Sequence, residues 1–157
     1  MPAKKFWQYL DEQGIKYALI RHAPAVTSQE VAAQSHIPGW EVAKTVIVKL
    51  DGKLAMAVLP APAKIDFNLL RQATGAQHAE LASEEEFADR FPDCEIGAMP
   101  PFGNLYGMPV YVDASLTEDE QIAFNACSHA EVVRMAYADF ARLVKPRVVH
   151  LTAHPVG

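Results

Sequence analysis

Apolar residues in this chain fall mainly into short runs that predict β-strands. The clearest run follows Lys44, where Val46, Ile47 and Val48 favour a strand because branching at Cβ restricts χ1 and packs well on a pleated surface. Asp51-Gly52 and a second apolar run from Lys53 to Leu59 come next, and an Asp-Gly pair between two such runs is typical of a β-hairpin. The pattern therefore predicts a hairpin with Lys44 at its entrance.

The same reasoning predicts further strands along the chain. A tight turn at Ala126-Cys127-Ser128-His129 is expected to join two of them as a second hairpin. These strands are predicted over Tyr17–Ile20, Pro109–Asp113, Ile122–Asn125, Glu131–Met135 and Val148–Leu151.

Capping residues and helical spacing of apolar positions predict five short helices. Glycine after a periodic segment indicates a C-cap, and Thr or Ser three residues before Glu forms a capping box. The predicted helices are Lys5–Gln13 ending at Gly14, Thr27 to about Ser35, Asp66–Thr74 ending at Gly75, one opening at Ser83-Glu84-Glu85-Glu86, and Asp139–Leu143.

Short strands outnumber short helices, and hairpins rather than long helical crossovers join most successive strands. This pattern favours an α+β fold with a mixed, largely antiparallel sheet. The chain has 157 residues, 50% of them hydrophobic and 21% charged, which is the size and composition of one domain spanning residues 1–157.

Composition excludes several classes of function. The net charge of −5 argues against general polyanion binding, so contact with nucleic acid must be local. No signal peptide or membrane-spanning stretch is predicted, so a cytoplasmic location without membrane contact is expected. The candidate phosphate contacts are Lys4, Lys5, Lys49, Lys53, Lys64, Arg71, Lys145 and Arg147.

The cysteines and histidines suggest neither a metal nor a cofactor. Cys94 and Cys127 lie 33 positions apart, without a Cys-x-x-Cys motif, and are expected to be free thiols. Cys127 beside Ser128 and His129 also raises a nucleophile hypothesis, which is disfavoured because sequence neighbours in a strand seldom face each other.

Two stretches carry the candidate chemistry. Lys44 can hold an ammonium at a cavity edge while its stem lies on apolar surface, although a surface lysine in a structural role fits the same position. The run Gly97-Ala98-Met99-Pro100-Pro101-Phe102-Gly103 predicts a stiff loop bounded by glycines. We interpret the two stretches as parts of one pocket.

These motifs together resemble a known family. Lys44-Thr45 at a strand start, Gly97 with Pro101-Phe102-Gly103, and Phe124-Asn125-Ala126-Cys127-Ser128-His129 are similar to the motif set of the YbaK/ProX-type aminoacyl-tRNA deacylases, also found as the editing domain of bacterial prolyl-tRNA synthetases. The resemblance covers nearly the whole chain in the same order. It implies a sheet partly closed into a barrel, and an enzyme that hydrolyses the ester of mischarged tRNA without a metal.

The resemblance also implies roles for individual residues. Lys44 would hold the phosphate or ribose of the acylated 3′ adenosine, and Thr45 would contact the aminoacyl group. Gly97 and the Pro101-Phe102-Gly103 segment would offer backbone groups to the substrate, and Met99 would help to set the pocket volume. Ser128 and His129 match a late glycine-serine-histidine pattern.

Some residues keep alternative interpretations. Cys127 stands where the family usually has glycine, which questions the turn geometry because cysteine does not adopt positive φ freely. Asp113 either faces the pocket or caps the following segment, and capping is preferred. Met99 and Phe102 are of types more often found in a core than in a specificity wall.

Two functional hypotheses follow. The first is a trans-editing hydrolase acting on a small amino acid, such as Ala, Ser, Thr or Cys, on a non-cognate tRNA, helped by a synthetase or elongation-factor partner. The second is a module that binds aminoacyl-tRNA or nucleotide without hydrolysing it and serves as an accessory or regulator of a synthetase.

Overall fold

The structure is a computed structural model that describes residues 4–21, 42–92 and 94–152. The helix predicted from Thr27 to about Ser35 lies outside these residues. The described strands are β1 (Tyr17–Arg21), β2 (Ala43–Leu50), β3 (Lys53–Pro60), β4 (Ala79–Leu81), β5 (Val110–Asp113), β6 (Gln121–Asn125), β7 (Glu131–Ala136) and β8 (Arg147–Val149). The described α-helices are α1 (Lys4–Glu12), α2 (Phe67–Thr74), α3 (Glu84–Phe87) and α4 (Tyr137–Val144).

The strands form two sheets. A three-stranded antiparallel sheet has the order β1-β7-β6, and a five-stranded mixed sheet has the order β4-β2-β3-β5-β8. The predicted hairpin is confirmed, because β2 and β3 pair from Ala43 opposite Pro60 to Leu50 opposite Lys53. A parallel bridge between Val42 and Ala123 connects the two sheets next to Lys44. The α+β class with mixed sheets is confirmed, and neither sheet closes into a barrel among the described strands.

Alternating residues of the five-stranded sheet pack into two different cores. Ile47 and Met56 belong to the main core with Phe6, Phe124 and Phe140. Residues of the opposite pleat, with Val48 and Ala57 among them, pack with Leu70 of α2. The sheet is therefore a central layer, and β2 packs against a core on each of its two faces.

Local capping signals produced the helices that they predict. Asp66 caps α2 by accepting hydrogen bonds from the amides of Asn68 and Leu69, and Gly75 ends it at a φ of 77°. Ser83 and Glu86 form the predicted capping box of α3. In the part of the chain that the structure describes, none of the helices is both long and apolar enough to cross a bilayer.

Strand β4 was not predicted from the sequence. β4 has three residues and pairs with the outer edge of β2. Asp51, in the turn between β2 and β3, holds the residues just before β4 in place. The Asp51 carboxylate accepts hydrogen bonds from the amides of Gln77 and His78 at 3.1 and 2.8 Å. Pairing with β2 rather than a local hydrophobic pattern creates this strand.

Candidate active site

Lys44 is the second residue of β2 and is half-buried. It makes no hydrogen bond or ion pair with another described residue. Burial lowers the pKa of its ammonium below the usual range, and the positive charge of Lys64 lowers it further. Lys64 lies in the segment after β3, which is tied to the start of β2 by the hydrogen bond from Ala61 N–H to Val42 O. Lys44 thus carries a partly desolvated charge that has no acidic partner among the described residues.

The loop that contains Gly97 is docked on the β6–β7 turn by backbone hydrogen bonds. Glu95 N–H donates to Cys127 O at 2.9 Å, and Cys127 N–H donates to Ala98 O at 2.8 Å. Gly97 lies between these two bonds with a φ of 86°. Its own amide and that of Ser128 donate to no acceptor among the described residues. The structure therefore brings together the Gly97 loop, residues 95–98, and the turn at residues 126–129 between β6 and β7, which we call the His129 turn.

The His129 ring completes this contact. Its Nε2 lies 2.8 Å from the carbonyl oxygen of Ile96. Since a carbonyl only accepts, a neutral ring bonds there as the Nε2–H tautomer and keeps a lone pair on Nδ1. The His129 amide lies 3.4 Å from Oε2 of Glu95. His129 is thus oriented by the Gly97 loop.

The His129 turn has a positive φ at position 127, a conformation typical of glycine, although the residue there is a cysteine. Cys127 has a φ of 66° and is fully buried. A non-glycine residue in this region costs roughly 1–2 kcal/mol, which the two hydrogen bonds to the Gly97 loop help to offset. The buried Asn125 side chain also holds the turn, donating to Ser128 O at 3.0 Å and to Glu131 O at 3.3 Å. The side-chain oxygen of Ser128 accepts from Ala130 N–H within the turn.

The expectation of free thiols is wrong, because Cys94 and Cys127 form a disulfide. Their pairing depends on the docking of the Gly97 loop on the turn, for which a separation of 33 residues provides no local signal. A disulfide sulfur is not available as a thiolate, so the structure also removes the nucleophile hypothesis for Cys127. The bond links the two segments of the candidate site covalently.

Loss of this cross-link is expected to destabilise the fold. Cys94→Ser should lower the free energy of unfolding by about 2–4 kcal/mol without reductant, since a disulfide restricts the unfolded chain. Urea unfolding followed by circular dichroism measures the difference. With reductant present the two proteins should unfold almost together. If the variant and the wild type have the same urea midpoint even without reductant, the disulfide contributes nothing to stability.

The remaining residues of the predicted loop lie in the core. Phe102 is 0% exposed, and its ring contacts those of Phe6, Phe124 and Phe140. Met99 is 4% exposed and belongs to the same core. Both side chains therefore anchor the loop to the main core and do not line an open pocket wall.

Gly103 and Pro101 are also buried, and the space around position 103 accommodates only glycine. A Cβ at Gly103 would lie 2.3 Å from Met108 O and 2.6 Å from a methyl carbon of Val110. Thr45 is half-buried opposite Val58 in the hairpin. The described contacts do not join Lys44 or Thr45 directly to Gly97 or His129.

Two residues near the site, Asn125 and Glu95, were not assigned a site role from the sequence, and Lys64 was predicted only as a phosphate contact. Asn125 and Glu95 contact the His129 turn, and Lys64 acts on Lys44. Asn125 was visible inside its motif, whereas the other two have no local signal. Asp113 caps the following segment, as the sequence analysis preferred. Its carboxylate accepts hydrogen bonds from Ser115 N–H at 3.2 Å and from Leu151 N–H at 2.8 Å.

Gly97→Ala is expected to reduce activity more than stability alone explains. The change imposes a side chain at a φ of 86°, which costs roughly 1–2 kcal/mol. It also places the new Cβ 3.4 Å from Cε1 of His129, in van der Waals contact with the ring. We expect about a tenfold fall in kcat/KM. Gly75→Ala is the matched control, since Gly75 has a φ of 77° and open space around it. An equal change of activity in both variants would argue against a role of Gly97 in the site.

Comparison with known proteins identifies the family. The aminoacyl-tRNA editing domain model matches residues 22–143, so this chain belongs to that family. The chain is 27% identical over 146 residues to the multifunctional Ser/Thr-tRNA deacylase ProXp-y of Escherichia coli K12, covering 90% of this chain and 87% of that protein. It is 29% identical over 104 residues to a proline–tRNA ligase of Bacillus mycoides, covering 65% of this chain and 17% of the ligase.

Solved structures agree on the fold. A crystal structure described as a candidate trans-editing enzyme for prolyl-tRNA synthetase superposes with a TM-score of 0.81 at 18% identity, covering 97% of each chain. A second, of a hypothetical protein, has a TM-score of 0.84 at 18% identity and covers 95% of this chain and 99% of the other. The α+β arrangement described above is therefore the fold of these proteins.

Proposed function

We propose that this protein is a trans-editing hydrolase that cleaves the ester between a small amino acid and the 3′ adenosine of a non-cognate tRNA. The observation that carries the proposal is the docking of the Gly97 loop on the His129 turn, in a chain of the aminoacyl-tRNA editing domain family. This docking orients His129 beside backbone amides without described acceptors. The similarity to a Ser/Thr-tRNA deacylase supports serine and threonine as the first substrates to test.

Each residue then has a chemical role. Lys44 binds the phosphate or ribose of the terminal adenosine, because its half-buried ammonium lacks an acidic partner among the described residues. Thr45, next on β2, contacts the aminoacyl group. The amides of Gly97 and Ser128 stabilise the oxyanion that develops on the ester carbonyl. Nδ1 of His129 accepts a hydrogen bond from the α-amine or from the attacking water.

The chemistry requires few side chains. An aminoacyl ester is already activated, so positioned water and fixed N–H donors can accelerate hydrolysis without a covalent intermediate. Met99, Pro101, Phe102 and Gly103 set the height of the loop and hence the pocket volume. A partly closed barrel formed by the two sheets would enclose this pocket, and the Val42–Ala123 bridge is where the sheets already meet.

The direct test is deacylation of a panel of tRNAs charged with alanine, serine, threonine, cysteine or proline. We expect rapid loss of one or two small esters and slow loss of the cognate prolyl ester. Absence of hydrolysis above the spontaneous rate, with the protein folded, would favour the alternative of a binding module that assists a synthetase. A pull-down with a synthetase and an elongation factor tests the proposed partners.

The lowered pKa of Lys44 predicts a pH dependence of binding. Because folding disfavours the charged form, Lys44 loses its proton at lower pH than an exposed lysine does. Affinity for a non-hydrolysable 3′-aminoacylamide analogue of the tRNA end should be constant near neutral pH and fall as pH rises through the lowered pKa. In Lys64→Gln the fall should move to higher pH, because one neighbouring positive charge is gone.

Isothermal titration calorimetry at a series of pH values measures this dependence. Lys16→Gln removes an exposed lysine without a described contact and is the matched control. If the Lys64 variant and the wild type lose affinity at the same pH, Lys64 does not act on the ligand-binding charge.

A further inference from the structure

Two adjoining cavities lie at the end of the five-stranded sheet that is remote from Lys44. One has a volume of about 700 Å³ and is lined in part by the tip of the β2–β3 hairpin. The other has a volume of about 230 Å³ and lies beside the start of β8. Pro109 and Tyr111 line both cavities, so the two cavities adjoin, and we treat them together as one groove.

Unpaired cations line this groove. Lys53 and Arg90 belong to the larger cavity, and Lys145 and Arg147 belong to the smaller one. None of the four makes an ion pair with another described residue. Lys49 differs, because its ammonium lies 3.4 Å from a carboxylate oxygen of Glu80 and 2.8 Å from one of Glu86. Four positive charges are therefore left for a ligand in a chain whose net charge is −5.

The position of the groove fits a long polyanion. Six strand positions separate Lys44 from Leu50, which pairs with Lys53, and this is about 20 Å at 3.3–3.4 Å per residue. The cations are divided between the two cavities, with Lys53 and Arg90 in the larger and Lys145 and Arg147 in the smaller. A single phosphate group would require them to converge, whereas a nucleic-acid backbone is contacted at successive phosphates.

We propose that this groove, defined by Lys53, Arg90, Lys145 and Arg147, binds the phosphodiester backbone of the tRNA acceptor stem while the 3′ end reaches Lys44. The inference rests on the proposed function for the identity of the RNA. The unpaired 3′ end of a tRNA bridges a distance of this order between the stem and the reacting ester. The groove would then supply affinity that the small site at Lys44 lacks.

The test measures binding of uncharged tRNA as a function of salt concentration. The slope of log K against log salt should fall by about one unit for each cation that contacts a phosphate. The fourfold variant with glutamine at these positions should therefore lose roughly three to four units of slope and bind tRNA much more weakly at low salt. Lys16→Gln, which removes one charge outside the groove, should keep the wild-type slope.

A second measurement separates this proposal from the proposed function. In the fourfold variant, the ratio of kcat/KM for aminoacyl-tRNA to kcat/KM for an aminoacyl-adenosine ester should fall at least tenfold. If the wild type hydrolyses neither ester but its tRNA binding still depends on these cations, the groove assignment stands and the proposed activity fails. An unchanged salt slope in the fourfold variant overturns the groove assignment, including the case in which the groove binds an acidic protein instead.

Discussion

Lys44→Met is expected to lower kcat/KM on mischarged tRNA by at least about a hundredfold. A charge-assisted contact to phosphate or to a developing oxyanion is typically worth this much in an enzyme site. Methionine keeps most of the apolar stem of lysine and removes only the charge. Single-turnover deacylation of the ester identified in the tRNA panel measures the effect.

The stability of the same variant distinguishes a site role from a structural one. A lysine whose pKa is lowered in the folded state costs stability at every pH below that pKa, and the cost disappears as the pH rises above the unfolded value. Methionine should therefore leave the thermal midpoint at neutral pH unchanged or raise it. Activity within threefold of the wild type would instead identify Lys44 as an ordinary surface lysine.

Gly103→Ala is expected to destabilise the fold by about 3 kcal/mol, near the upper end of the usual range for overpacking. The added Cβ would lie 2.3 Å from the backbone oxygen of Met108, and a backbone atom cannot change rotamer to make room. Gly103 O also accepts hydrogen bonds from the amides of Tyr106 and Met108, so movement of Gly103 disturbs both. Chemical unfolding of the purified protein measures the loss.

Two further variants test the cause. In Gly103→Ala/Val110→Ala, the contact with the valine methyl disappears but the contact with Met108 O remains, so stability should recover little. Gly52→Ala is the control, because Gly52 has a φ of 85° and open space around it, and it should cost only about 1–2 kcal/mol. A loss at Gly103 no larger than that at Gly52 would argue against the steric explanation and leave room for a direct role in substrate binding.

Local chemistry in the sequence predicted most of the secondary structure. The Asp51-Gly52 turn, the Asp66 and Gly75 caps and the Ser83–Glu86 capping box involve residues within a few positions of each other. Their conformations depend on side-chain size, hydrogen bonds to nearby amides and tolerance of positive φ. β4 was missed because its three residues become a strand only through pairing with β2.

The sequence by itself therefore determined the four helices that the structure describes, the two hairpins, the α+β class and, through its motifs, the family. Tertiary structure alone decided that Cys94 meets Cys127, that Lys64 lowers the pKa of Lys44, and which four cations share one groove. It also decided that a cysteine occupies a glycine-like conformation at position 127, supported by bonds to a loop about 30 residues away. These features join residues far apart in the chain, and their energies depend on packing and chain closure that no local pattern encodes.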